Sequence, residues 1–469
     1  MNDQPTRMRG DLGLVSVVAF GVAYMAPAVV VSIFGVIAAT SAGAAPTAYA
    51  IATGAMLLTG FSYAKMAKVH PSSGSVYTYA RKELDSRIGF LAGWAMLLDY
   101  LFLPMVAFLL QAIYLNVQYP SVPEWAWLVI NVVLATAINV IGIKVADKVN
   151  RVLLIGVTGS LLVLAVLCAK YGFGHSGTAA IGHSFWNGAT SFSAITAAAA
   201  IAAYAFLGFD AVSTLSEEAR DPQRTIPRGI ILTVLVGGAI FVVLSFLMQW
   251  THPGGSFPNE NSAGYLVSTV VGGKTFADIS NLIGLLGGFA SCVAIQASTS
   301  RLMFVMGRDG ALPRPVFGRL HRKLLTPVTN VVIIGVIGLL AMNLSLAEAT
   351  SFINFGAFLG FTLVNVCVIA YALRQWRSGR RHSVLGYLVL PAAGAAVDVY
   401  LITQLGSTAT EIGLGWLAIG IVWLAFLTKG FRAPAPEMRL NEEDAKPAAG
   451  TPRHVPLFTP ASRKPQVNG

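Results

Sequence analysis

Apolar runs of about 20 residues recur along almost the whole chain, and they leave few folds open to it. A helix of this length spans a lipid bilayer. The twelve runs are Leu14–Ala39, Thr47–Ala67, Ile88–Asn116, Trp125–Ile143, Val152–Lys170, Phe192–Leu215, Gly229–Trp250, Phe276–Met306, Val328–Leu344, Ser351–Leu373, Val384–Gln404 and Ile412–Thr428. Only 11% of the 469 residues are charged, whereas a soluble domain has roughly 25%. The sequence therefore predicts an all-α integral membrane protein with about twelve transmembrane helices, numbered here as spans 1 to 12.

Positive charge in the loops predicts how these spans are oriented. Of the 32 Lys and Arg residues, 30 lie on one side of the predicted membrane, and only Lys170 and Lys274 lie in loops on the other side. Loops rich in Lys and Arg stay in the cytoplasm. We therefore expect an even number of spans in a cytoplasmic (inner) membrane of the bacterial type, with both termini in the cytoplasm. The partition accounts for the net charge of +11 without a nucleic-acid partner.

Other kinds of site are disfavoured by the sequence. The first 13 residues are polar and have no signal-peptide cleavage pattern. Cys168, Cys292 and Cys367 lie within apolar runs without CxxC spacing, so neither a disulfide framework nor a metal site is implied. No Gly-rich phosphate loop, HExxH motif or Ser/His/Asp arrangement stands out. We therefore expect a protein that is not an enzyme and needs no cofactor.

Two spans are interrupted at corresponding places. Span 1 contains Gly21-Val-Ala-Tyr-Met-Ala-Pro-Ala28, in which Pro27 lacks an N–H group and clashes with the preceding turn. Span 6, five spans later, contains Gly208. Spans 3 and 8 are the longest, and each follows a long connection, Val69–Arg87 and Thr251–Thr275. Because five is odd, the second copy of such a repeat is inverted, and this pattern indicates a transporter with a central site.

These features divide the chain into five predicted parts. They are a cytoplasmic N-terminus at 1–13, a five-helix repeat at 14–170, an inverted five-helix repeat at 192–373, two extra helices at 384–428, and a tail at 433–469. The tail is rich in Pro and charge, and we expect it to be disordered. At the junction between the spans 6 and 7, Asp221-Pro222 is predicted to end span 6, and Thr225 with Pro227 to begin span 7.

Asp210 lies near the middle of span 6, two residues after Gly208. A carboxylate at this depth costs several kcal/mol, and a chain that keeps one usually uses it. The glycine lets the helix break, and a broken helix exposes backbone groups and a dipole end to a solute. The alternative is that Gly208 packs against a neighbouring helix and that Asp210 is a satisfied structural acid.

Several motifs resemble the amino acid–polyamine–organocation permeases, and among them the bacterial putrescine importers. The motifs are Gly74-Ser-Val-Tyr-Thr-Tyr79, Gly93-Trp94, Leu97-Leu-Asp-Tyr-Leu-Phe-Leu-Pro-Met105, Phe206-Leu-Gly-Phe-Asp-Ala-Val-Ser-Thr-Leu-Ser-Glu-Glu218, Ile226-Pro-Arg228, Ser300-Arg-Leu-Met-Phe-Val-Met-Gly-Arg-Asp-Gly310 and Ile353-Asn-Phe-Gly356. The likeness runs from about Gly10 to about Arg432. It implies two inverted five-helix repeats, broken helices 1 and 6, and a substrate held at those breaks.

The resemblance places part of the substrate site in span 1, at Tyr24, Ala26, Pro27, Ala28 and Ser32. Amino acid transporters of this family present free backbone N–H groups here to the substrate carboxylate. Proline removes one of them, although the helix N-terminus beyond it still attracts anions. This departure fits a substrate without a carboxylate, such as a diamine. Ser32 points the other way, because the putrescine importers carry an acid at the corresponding place.

The resemblance also assigns roles to residues in spans 3 and 6. Asp210 matches a glutamate implicated in proton coupling in related exchangers of basic amino acids. Tyr204 matches an aromatic residue that stacks on the cationic or aliphatic part of a substrate, or it is an ordinary core residue. Asp99 either holds a substrate amine or bonds to a hydroxyl of a neighbouring helix.

Polar groups near the cytoplasmic ends of spans 6 and 8 have two interpretations each. Glu217, Glu218 and Arg308 either form an inner gate of ion pairs or are solvated helix ends. The candidate sodium ligands are three hydroxyl groups in span 8, those of Ser298, Thr299 and Ser300. Hydroxyls in membrane helices, however, more often bond their own backbone. We therefore expect coupling to protons rather than to sodium.

Together these observations predict a secondary transporter that imports a small amine-bearing metabolite by alternating access. The substrate is a polyamine such as putrescine or an amino acid, and the expected surroundings are the lipid bilayer, with no nucleic-acid partner. One alternative is an amino acid permease or exchanger without polyamine activity. Another is a transporter-like sensor, which would need a folded cytoplasmic domain that the tail of about 37 residues does not provide. The paired broken helices disfavour a channel.

Overall fold

The computed structural model describes residues 12–71, 75–142, 147–177, 179–321, 323–324 and 326–437. All regular elements in these ranges are helical, apart from an isolated parallel bridge between Leu12 and Ala219. The tail predicted at 433–469 is described only to residue 437. There it lies against the helix that precedes span 3, because Arg81 donates to the carbonyl oxygens of Ala435 and Pro436, both at 3.4 Å. Residues 438–469 lie outside the described ranges.

The first half of the chain forms eight α-helices, of which two short ones lie in the connections after spans 2 and 5. They are α1 (Leu14–Tyr24), α2 (Val29–Thr40), α3 (Ala45–Val69), α4 (Ser75–Glu83), α5 (Ser86–Gln118), α6 (Glu124–Ile141), α7 (Asp147–Tyr171) and α8 (Ala179–Phe185). Helices α1 and α2 together occupy span 1 and meet at an angle of 53°.

The second half also forms eight α-helices. They are α9 (Phe192–Ala202), α10 (Pro222–Thr251), α11 (Ala263–Arg308), α12 (Arg314–Phe317), α13 (Val328–Leu339), α14 (Leu346–Arg377), α15 (Leu390–Thr403) and α16 (Ser407–Leu427). Span 6 continues beyond α9 as two 3-10 segments, Ala203–Phe206 and Asp210–Glu217.

The lengths of these helices confirm a membrane protein. Within the described ranges, nine helices are long and apolar enough to cross a bilayer, and the bent pair of α1 and α2 makes a tenth span. Helix α13 and its 3-10 extension are shorter, at Val328–Asn343. Helix α3 has 25 residues but is not among these candidate spans. Many of its residues are buried, and its Thr59 and Ser62 hydroxyls donate to side chains of α15 and α14.

Two helix boundaries differ from the sequence-based expectation. Helix α10 begins at Pro222, so the predicted start of span 7 at Thr225 and Pro227 is wrong. A proline fits the first turn of a helix because its missing N–H has no partner there. Helix α11 begins at Ala263 and bends at Gly273, where φ is 74°, so the predicted loop Thr251–Thr275 is partly helical.

The helices around span 1 pack closely because glycines remove side-chain bulk at the contacts. A Cβ atom at Gly21 of α1 would lie 2.5 Å from Thr233 of α10, and one at Gly238 of α10 would lie 2.4 Å from Thr53 of α3. Helices α1, α3 and α10 therefore form one packed group. Helix α14, which is span 10, packs along α5, which is span 3, and also contacts α3, which is span 2. Spans 1, 3, 6 and 10 therefore lie around a common centre.

Candidate functional site

The break in span 1 lies where the sequence predicts it. Ala26, just after α1, has a left-handed φ of 46°, a conformation that costs a residue with a side chain about 1–2 kcal/mol. The N–H group of Ala28 makes no backbone hydrogen bond in the described structure. The hydroxyl of Ser32 donates to the carbonyl oxygen of Ala28 at 3.4 Å, so Ser32 bonds within its own helix.

The break in span 6 lies at Leu207 and Gly208. Gly208 has φ of 109°, a region open to glycine but not to residues with a Cβ atom. The preceding turn loses regular helical bonding. Buried Asn354 of α14 compensates by donating to the carbonyl oxygens of Ala200 at 2.7 Å and Ile201 at 3.3 Å. Span 10 therefore stabilises the break.

Tyr24 connects the two breaks. A Cβ atom at Gly208 would lie 2.2 Å from Cδ1 of Tyr24, so the ring packs directly on the glycine backbone. The absence of a side chain at Gly208 thus serves both its backbone conformation and this contact. The two interrupted helices that the sequence predicts as a pair meet in space.

The two intramembrane acids, Asp99 and Asp210, lie within electrostatic range of each other. The carboxylate of Asp210 faces the backbone N–H groups of Gly208, Ala211 and its own residue. The N–H of Ala211 also donates to the carbonyl oxygen of Gly208 at 3.1 Å. Asp99 differs, because its Oδ1 atom is buried without a hydrogen-bond partner. Asp210 therefore lies beside backbone donors of the break, whereas Asp99 has a free acceptor.

Tyrosine rings surround this acid pair. Tyr24 and Tyr100 lie within electrostatic range of both acids, whereas Tyr204 is buried near Asp99 and Cys292. Tyr24 and Tyr204 were predicted from the sequence as site residues, whereas Tyr100 and Cys292 were not. Tyr100 directly follows Asp99 in the span 3 motif, and this adjacency in the sequence could have identified it as a site residue.

The two halves of span 1 differ in exposure. Helix α1 has an exposed face on which Phe20 is 39% and Tyr24 is 46% exposed, and Tyr24 also reaches the acids. The α2 side is closed, because a Cβ atom at Gly35 would lie 2.1 Å from the carbonyl oxygen of Glu260. The phenol of Tyr114 also donates to the carbonyl oxygen of Val31 at 3.3 Å on that side. Span 1 is therefore exposed before its break and packed against other parts of the protein after it.

The hydroxyls proposed as sodium ligands have other partners. Thr299 donates to the carbonyl oxygen of Tyr100 at 2.9 Å, and Ser300 donates to that of Ala297 at 2.8 Å, while Ser298 is exposed. Over the residues that the structure describes, no cluster of three or more His, Cys, Asp or Glu side chains could hold a metal ion.

The predicted inner gate is described in part. Arg308 pairs with its neighbour Asp309 at 2.8 Å. The backbone carbonyl of Glu218 accepts from Leu12 at 3.1 Å, so the segment before α1 is joined to the end of span 6. The side chain of Glu217 lies outside the described structure.

Comparisons with known proteins agree with this architecture. A family model described as amino acid permease matches residues 17–436. The low-affinity putrescine importer PlaP of Escherichia coli (strain K12) is 39% identical over 443 residues, covering 93% of this chain and 97% of PlaP. The branched-chain amino acid permease BcaP of Bacillus subtilis (strain 168) is 27% identical, covering 88% and 92%. The methylthioribose transporter of Bacillus subtilis (strain 168) is 26% identical, covering 84% and 86%.

Proposed function

The chain belongs to the amino acid permease family, and from that premise we propose that it imports a small diamine of the putrescine type. The predicted resemblance to these permeases is confirmed. The chain is a multi-pass membrane transporter and not an enzyme.

The observation that carries the proposal is the pair of acids between the two breaks. Asp99 and Asp210 are close enough to interact, and Asp99 has a buried, unpartnered acceptor atom. Two carboxylates favour a ligand with two positive charges, because an ammonium group at each removes their mutual repulsion. The aromatic rings of Tyr24, Tyr100 and Tyr204 fit the ammonium groups and methylene chain of such a ligand.

The same geometry disfavours an amino acid substrate. A substrate carboxylate needs free N–H groups, and those at the break of span 6 face Asp210. In span 1, Pro27 has no N–H, which leaves Ala28. That single N–H at the start of α2 is the observation that supports the second candidate function, transport of an amino acid.

We propose that the twelve helical units form two inverted five-helix repeats and two extra helices, with both termini in the cytoplasm. In that orientation the exposed helix α1 forms the cytoplasmic half of span 1. Alternating access then requires the two halves of span 1 to move in turn relative to the rest of the site.

Cysteine labelling of the intact membrane tests this orientation. We expect an impermeant reagent added outside to label cysteines placed at His175 and Ser256 and to leave one at Arg380 unlabelled. A cysteine at Phe20 should react only from the cytoplasmic side. External labelling at Arg380, with normal protein levels, would contradict the proposed topology.

The function is tested by a panel of labelled substrates in proteoliposomes, with and without a pH gradient. We expect saturable uptake of putrescine that a pH gradient makes concentrative and that unlabelled diamines inhibit more strongly than branched-chain amino acids do. Replacing sodium with choline should not reduce it. Uptake of a neutral amino acid with no inhibition by diamines would favour the second candidate function instead.

A further inference from the structure

A third acid inside the membrane-spanning region lies outside the candidate substrate site. Asp398 of α15 is 0% exposed. Its Oδ2 atom accepts hydrogen bonds from the hydroxyl of Thr59 at 2.8 Å and from the amide of Asn365 at 3.0 Å. Ser62 donates to the Oδ1 atom of Asn365 at 2.5 Å. Three helices, α3, α14 and α15, thus contribute to one buried polar cluster.

The Oδ1 atom of Asp398 has no partner. It is buried and accepts no hydrogen bond in the described structure, although both donors of the cluster reach Oδ2. A carboxylate without a counter-ion in such surroundings is costly. A neutral carboxylic acid avoids that cost, and the unpartnered oxygen is the atom that remains to carry the proton.

No cation in the described ranges pairs with this carboxyl. On α3, polar side chains occur at every third residue: Thr59, Ser62 and Lys65. The ammonium of Lys65, however, donates to the carbonyl oxygen of Gly386 and lies 5.0 Å from the ring centre of Tyr387. On α9, Thr196 contacts the phenol of Tyr400 at 3.2 Å. Lys65 is therefore occupied away from Asp398.

A metal ion fits the cluster poorly. Thr59 and Asn365 bond to each other and to Asp398, and Ser62 bonds to Asn365, all by direct hydrogen bonds of 2.5–3.0 Å. An inserted ion would separate these groups and break the bonds between them. The amide nitrogen of Asn365 also faces the carboxylate, and a nitrogen donor repels a cation.

We propose that Asp398 is a proton-binding site separate from the transport cavity, with the proton on Oδ1 while Thr59 and Asn365 donate to Oδ2. The neutral acid joins α15 to α3 and α14. Helix α3 belongs to the group that holds α1 and α10, whereas α14 packs along α5. The site thus connects the helix group that contains α1 with the helix group that contains α5. Loss of its proton would place an unpaired negative charge between these two groups.

Infrared spectroscopy of the full-length protein in lipid tests this directly. Wild type should show a carboxylic acid C=O band that persists at neutral pH, and Asp398→Asn should remove it. Thr59→Val keeps the side-chain shape but deletes one donor to Oδ2, so it should shift the band to higher frequency. Asp278→Asn changes an acid in α11 just after the bend at Gly273 and should leave the band unchanged. An identical spectrum in wild type and Asp398→Asn would overturn the proposal.

Thermal unfolding provides a second readout. A native state that holds a proton which the unfolded chain releases loses stability as pH rises. We therefore expect the melting temperature of wild type to fall between neutral and alkaline pH more steeply than that of Asp398→Asn. Equal slopes, or stabilisation of wild type by sodium that Asp398→Asn lacks, would instead indicate an ionised carboxylate.

Discussion

Asp99→Asn is expected to raise the apparent KM for putrescine by about 10- to 100-fold. The reason is the unpartnered Oδ1 atom of Asp99, which is the acceptor available to a substrate ammonium. A hydrogen bond to a charged group contributes about 1.5–3 kcal/mol, and each factor of ten corresponds to about 1.4 kcal/mol. Uptake kinetics in proteoliposomes measure the change. The KM for any neutral amino acid that the protein accepts should change little.

Asp278→Asn is the matched control for this prediction. Asp278 undergoes the same chemical change, but it lies in α11 just after the bend at Gly273, where it pairs with Lys274 at 2.9 Å and accepts from Tyr265 at 2.6 Å. Its replacement should leave the KM for putrescine unchanged. If Asp99→Asn gives wild-type kinetics for every substrate at normal protein levels, Asp99 is structural.

Local chemistry made the two breaks predictable. Pro27 lacks an N–H and Gly208 lacks a Cβ atom, and each property acts within its own helix. The contact between Tyr24 and Gly208 depends on how α1 crosses span 6, so the sequence predicted both breaks but not their contact. The proximity of Asp99 and Asp210 is likewise a property of helix packing.

Asp398 and α3 show where sequence patterns are weakest. A single acid in span 11 matches no motif, and its partners Thr59 and Asn365 lie 339 and 33 residues away along the chain. Helix α3 is a predicted span whose polar residues face other helices, so its composition reflects tertiary contacts. The start of α10 was missed because Pro222 and Pro227 are both compatible with a first turn, and local rules did not distinguish them.

Asp210→Asn is expected to abolish accumulation driven by a pH gradient while exchange of labelled for unlabelled putrescine continues, with a higher KM because one of the two ammonium partners loses its charge. The carboxylate of Asp210 lies beside backbone N–H groups of the break, and asparagine has nearly the same shape and keeps an acceptor oxygen there, so the break should keep its shape. Asparagine cannot gain or lose a proton. The variant therefore lacks the step that links proton movement to the return of the empty carrier. Exchange does not require this step, because the carrier returns loaded with substrate.

The pH dependence of exchange separates this role from a structural one. Exchange by wild type should vary with pH, whereas exchange by Asp210→Asn should not, because the titrating group is gone. Asp210→Glu keeps the acid but moves it by one methylene, and it should retain some driven uptake. Asp278→Asn should behave as wild type in both assays. Accumulation by Asp210→Asn against its gradient, with only a pH difference imposed, would assign coupling to another acid, and Glu217 and Glu218 at the end of span 6 would be tested next.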